Sequence, residues 1–79
     1  MKPVEVIWVD IEELAGGWHD QDDVDEHIHN VEARTVKMLG YLLEQDEETI
    51  TLVDSMMGTK FYGTVNVIPR GCIKSVREL

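Results

Sequence analysis

Apolar and polar positions alternate along most of this chain, and the alternation fails at a few definable places. In residues 4–10, Val4, Val6 and Trp8 share one parity while Ile7 and Val9 make the other apolar too, which predicts a strand covered on both faces. Residues 34–45 predict the longest strand, with Val36, Met38 and Leu42 on one parity and Leu39, Tyr41 and Leu43 on the other. Gly40 lies in its middle, where a glycine marks a bend or bulge. An acidic turn at 46–48 leads into a β-branched strand over 49–55, alternating through Ile50 and Leu52. A loop around Gly58 at 56–60, a strand over 61–68 and a closing strand over 72–78 complete the pattern. Between the last two, Pro69 stops the ladder for want of an N–H, and Gly71 after Arg70 permits a tight turn.

One stretch departs from period two. After a loop at 11–19, in which Gly16-Gly17 breaks any periodicity and Trp18 follows, Asp20 opens a run of carboxylates. Carboxylates favour a helix amino terminus, where they cap free N–H groups and face the positive end of the dipole. A short helix is predicted over 22–30, with Val24, Ile28 and Val31 inward and Asn30 closing it. There is no repeat, linker or low-complexity segment, so residues 1–79 read as a single small β domain: five strands with one short helix between the first and second.

At 79 residues the core is thin, because a chain of that size buries only about 60% of the surface it exposes when unfolded. Oligomerisation commonly supplies what such a core lacks. A disulfide within the chain is excluded, since Cys72 is the only cysteine, and its place between Gly71 and Ile73 reads as a small buried hydrophobe. The apolar run near the amino end is too short for a membrane span or a signal-peptide core. The expectation is a soluble protein of the reducing cytoplasm of the producing or infected cell, with no membrane partner.

Charge is unevenly placed. Residues 1–32 hold ten carboxylates against Lys2 alone, whereas residues 60–79 hold Lys60, Arg70, Lys74 and Arg77 against Glu78. With a net charge of −9, unspecific attraction to nucleic acid or an acidic membrane is disfavoured, and a local anion site near the carboxyl end survives. The cluster of His19, Asp20, Asp22, Asp23, Asp25, Glu26, His27 and His29 offers metal-ligand chemistry, but not in a metal-ligand pattern. His27 and His29 fall on different helix faces, and the segment lacks the glycine and twelfth-position glutamate of a calcium loop. A solvated, helix-capping face is the reading, with no metal and no cofactor. Ser55 and Ser75 sit in no nucleophile elbow and no phosphate loop occurs, so no enzyme is expected. Of the aromatics, Trp8 reads as core, whereas Trp18 either plugs a barrel mouth or lines a binding surface.

Gly40-Tyr41-Leu42, followed by Asp46 and the Ile50-Thr51-Leu52 strand, and Arg70-Gly71 followed by Ile73 and Val76, resemble the two halves of the Sm-like motif. The resemblance covers about half the chain. It implies a strongly bent five-stranded barrel whose edge strands pair between subunits into a homo-oligomeric ring, with RNA at the inner rim. The chain departs from that family in a shorter hairpin without its asparagine and in a helix placed after the first strand, an order closer to a Src-homology-type barrel. Val-Ile-Trp-Val-Asp near the start, the Gly-Tyr-Leu-Leu strand and the Ile-Pro-x-Gly-x-Ile ending also look like small bacteriophage-encoded proteins. The expectation is a non-catalytic module for short single-stranded RNA or a small nucleotide, held by Lys60 and Arg70 with Trp18 or Tyr62. The rival is an acidic module that docks on a basic host protein.

Overall fold

The computed structural model describes residues 1–11, 13–14 and 16–79, so the loop expected at 11–19 is described apart from residues 12 and 15. Strand β1 (Lys2–Val9) is followed by helix α1 (Gln21–His29) and a 3₁₀ turn (Glu32–Arg34), then by β2 (Thr35–Gln45) and β3 (Thr49–Val53). A small hairpin, β4 (Met56–Met57) and β5 (Phe61–Tyr62), precedes β6 (Val65–Pro69), a second 3₁₀ turn (Arg70–Cys72) and β7 (Ile73–Glu78). Five strands form one antiparallel sheet in the order β6-β3-β2-β1-β7, and β4 and β5 pair separately. The mostly β architecture, with its one α-helix between the first two strands, is as the sequence predicts.

The sheet cannot be flat. Its outermost strands, β6 and β7, are consecutive in the chain and joined only by Arg70–Cys72. Five flat strands would set those edges about 19 Å apart at the usual strand spacing, whereas the link from Pro69 to Ile73 reaches at most about 14 Å. Curling brings the edges together at that end. No ladder joins β6 to β7 among the described residues, so the sheet is curled without being closed into a barrel.

Strand β2 makes the curl by serving two neighbours. Its residues from Thr35 to Leu42 pair with β1, and those from Tyr41 to Gln45 pair with β3. The bulge falls at Leu43, where the register slips from Leu42 opposite Leu52 to Glu44 opposite Thr51. Gly40 is needed for a different reason: a Cβ there would lie 3.1 Å from the Val53 carbonyl oxygen and 3.4 Å from Leu52 Cβ. The glycine therefore admits the close approach of β3.

Opposite pairs on a sheet share a face, and the pairs Val6 with Met38, Leu42 with Leu52 and Ile50 with Ile68 put one parity inside. Val4, Val6, Ile50, Leu52 and Ile68 form the core cluster, with Trp8, Met38, Leu42 and Ile73 packed against it. Trp8, expected in the core, is half-buried against it, and its indole Nε1 is buried without a hydrogen-bond partner. Val53, of the opposite parity, is buried on the other face. The Cα radius of gyration is 16.1 Å, well above the value of about 12 Å for a compact chain of this length.

Three expectations are corrected. The helix forms where predicted, capped by Asp20, whose Oδ1 accepts from Asp23 N at 2.8 Å, and by Asn30, whose N–H donates to Glu26 O. Its supposed inward face is only partly covered, however: Val24 is half-buried, whereas Ile28 and Val31 are exposed and no residue of α1 is fully buried. Val24 and Ile28 are its only apolar side chains, too narrow a stripe to dock a helix. The strand predicted over 61–68 is divided at Gly63-Thr64, and Met56–Met57, expected in a loop, pairs with its first part. Asp54 causes the division by accepting the Thr64 N–H at 2.9 Å, while Gly63 N donates to Ser55 O. Finally, Gly71 needs no special backbone: among the described residues only Gly17 and Gly58 adopt positive φ, and the turn at Arg70–Cys72 is ordinary 3₁₀ geometry.

Candidate ligand-binding surface

The four residues expected to bind ligand do not meet at one place. Thr49 pairs with Pro69 at one end of β3 and Val53 with Val65 at the other, so about 13 Å of strand separates Arg70 from the β4–β5 hairpin that carries Lys60 and Tyr62. Lys60 lies in the tip of that hairpin, with Tyr62 exposed on β5. Trp18 is fully exposed on the segment between β1 and α1, which places it on a surface and away from the plug position.

Arg70 is engaged in structure. Its Nε donates to Asp46 O at 2.6 Å and its guanidinium to Gln45 Oε1 at 3.0 Å, while its backbone N–H bonds Glu48 O. These bonds tie the 3₁₀ turn to the β2–β3 turn. Asp46 organises the same corner, its Oδ1 accepting from Glu48 N and Thr49 N at 2.8 Å each. Those backbone donors, that of Thr49 foremost, hold the Asp46 carboxyl below its ordinary pKa, with a smaller contribution from the Arg70 charge.

Asp54 plays the matching part at the other end of β3. Its Oδ1 accepts from Ser55 Oγ at 2.8 Å and from Thr64 N, and the Ser55 and Thr64 bonds lower its pKa. Gly63 completes this clamp, because a Cβ there would strike Ser55 Oγ and approach Asp54 Oδ1 to 2.5 Å. The sequence signal for the clamp is an Asp-Ser pair facing a Gly-Thr pair across a short apolar hairpin, which alternation alone does not single out.

Electrostatically, residues 55–77 contain no carboxylate, whereas the rest of the chain holds all sixteen. Arg77 pairs with Glu5 at 3.2 Å and Lys2 with Glu78 at 2.9 Å. Lys60 and Lys74 form no ion pair with any described residue. A second feature that pattern reading did not reveal is an open cleft of about 240 Å³ lined by Pro3, Leu39, Gly40, Tyr41, Asp54 and Leu79. Among the described residues, no three His, Cys, Asp or Glu side chains converge as a metal site would require. No described helix is long and apolar enough to cross a membrane. Comparison with known proteins finds no family model, curated protein or solved structure that matches this chain.

Proposed function

We propose that the protein is a non-catalytic, homo-oligomeric binding module of the small-barrel kind, Sm-like or Src-homology-type, which takes a short single-stranded RNA or a small nucleotide. The observation that carries the ligand is the hairpin tip, where Lys60 stands beside exposed Tyr62 within a stretch free of carboxylates. An ammonium group answers a phosphate, and a phenol ring stacks on a base for about 1–3 kcal/mol. Trp18 supplies a second stacking surface from the loop before α1. Arg70, held by Gln45 and Asp46, positions the turn and leaves phosphate contact to Lys60.

The strand order supports the small-barrel reading, since edge strands that follow one another through a 3₁₀ turn are what a nearly closed cylinder requires. Open edges on β6 and β7 would pair between subunits into a ring, satisfying backbone groups and enlarging the core. In a phage-infected cell such a module would sequester a host nucleotide signal. Titration with short oligonucleotides and cyclic nucleotides should give saturable binding that weakens with salt and is lost in the Lys60→Glu/Tyr62→Ala variant. Absence of saturation removes the proposal.

The acidic-module reading is favoured by one observation: α1 fully buries no residue, with its carboxylates and the fully exposed Trp18 turned to solvent. Neutralising Asp20, Asp22, Asp23 and Asp25 should abolish binding to basic peptides and leave nucleotide titrations unchanged. Equal peptide binding by that variant would rule this reading out.

A further inference from the structure

Every strand residue of hairpin β4–β5 is a large hydrophobic or aromatic one, and all four are exposed. Residues opposite one another share a face, so Met57 and Phe61 lie on one side of the ribbon and Met56 and Tyr62 on the other. The Met57–Phe61 side is the barer, at 69% and 63% exposed against 43% and 44%. A lone two-stranded hairpin is at best marginal in water. Here the base is clamped by the Asp54, Ser55, Gly63 and Thr64 bonds, so the ribbon is held in place with an apolar side uncovered.

Next to that base lies the open cleft, whose lining is mostly apolar residues together with Tyr41 and the acidic residue Asp54. The two features match in kind: a ribbon side of Met57 and Phe61 flanked by the cation Lys60, and a mostly apolar hollow with the acidic residue Asp54 in its wall. The hairpin's own side chains from Met56 to Tyr62 do not line the cleft. Asp54 belongs both to the clamp and to the cleft wall, so knob and hollow are contiguous on each chain, which suits a twofold, self-complementary contact. Met57 and Phe61 on the arm and Leu39 and Tyr41 at the cleft expose on the order of 450 Å² together, roughly half of the 800 Å² that each partner gives a standard interface, which suits a small, weak dimer.

We propose that the Met57–Phe61 side of one copy's hairpin seats in the cleft of a second copy, and reciprocally, with Lys60 meeting Asp54 of that second copy. The dimer forms through exchanged arms and leaves the strand edges open. It uses the ribbon side opposite Tyr62 and shares only Lys60 with the nucleotide reading, so its apolar contact does not depend on that reading.

Sedimentation equilibrium of the full chain tests it, with circular dichroism to show that each variant folds. The wild type should dimerise with a concentration-dependent mass, and Phe61→Asp and Leu39→Asp should each weaken association roughly 30-fold or more, as loss of a hot-spot side chain does. Mixed together, these two variants should regain dimers, because one intact arm then meets one intact cleft. Added salt should tighten the dimer by screening two anionic bodies, the opposite of its effect on nucleotide binding. A chain that stays monomeric to millimolar concentration overturns the proposal, as does a mixture that fails to associate. Association untouched by both substitutions also overturns it and assigns the contact to the sheet edges.

Discussion

Two aspartates hold the two ends of β3, and both act through backbone donors: Asp46 caps the turn into the strand, and Asp54 takes the N–H of Thr64 after it. Each carboxyl is pulled below its ordinary value, so the unfolded chain binds more protons than the folded one as the pH falls. Their contribution is complete above about pH 4, near the unfolded carboxylate value, and is lost as acidity passes down through the lower folded values. Melting temperature measured from pH 6 to pH 2 should fall in that acid window, and Asp46→Asn should flatten the fall. Two glycines make a contrast at the same scale. Gly40→Val should cost about 1–3 kcal/mol, the usual penalty for overpacking, because β3 is already in contact there. Gly71→Ala, with nothing within 4 Å and no left-handed backbone, should be neutral or should stabilise by about 0.4–1 kcal/mol in urea titration.

Among elements, those with strong alternation were legible in the chain and those settled by one side chain were not. Val4, Val6 and Trp8, and again Ile50 and Leu52, announce β1 and β3, because burial on a pleated sheet demands that period. Asp20 announces α1, because a carboxylate cap acts on local N–H groups. Nothing in the pattern of 61–68 reveals that Asp54 will claim Thr64 N–H and divide the strand, since that bond joins residues ten apart. The binding residues divide likewise: exposure of Lys60 and Tyr62 follows from a turn, whereas the engagement of Arg70 with Gln45 depends on a contact across twenty-five positions. Helix α1 is local in its energetics as well as in its signal. Asp20→Ala should cost the helix about 1 kcal/mol, visible as faster amide exchange at Asp23 and Val24, while exchange in β1 and β2 stays unchanged.

For the whole molecule, a small core meets a large charge. Among the described residues six hydrophobic side chains are buried, and a net −9 repels itself. Melting temperature should therefore rise with sodium chloride between about 10 mM and 150 mM, as the screening length shortens from about 30 Å to about 8 Å. A melting point that falls over that range would show that the internal ion pairs outweigh the repulsion. Ile50→Ala should remove about 2–5 kcal/mol, enough to unfold much of so small a domain.

The contrasting settings of the two indoles give the chain a pair of built-in optical reporters. Trp8, packed against the core cluster with its Nε1 unsolvated, should emit at short wavelength and resist iodide. Trp18, bathed in water, should emit to the red and be readily quenched. Whatever lands on the loop before α1 should dim or shift only the second colour, and unfolding should merge the two.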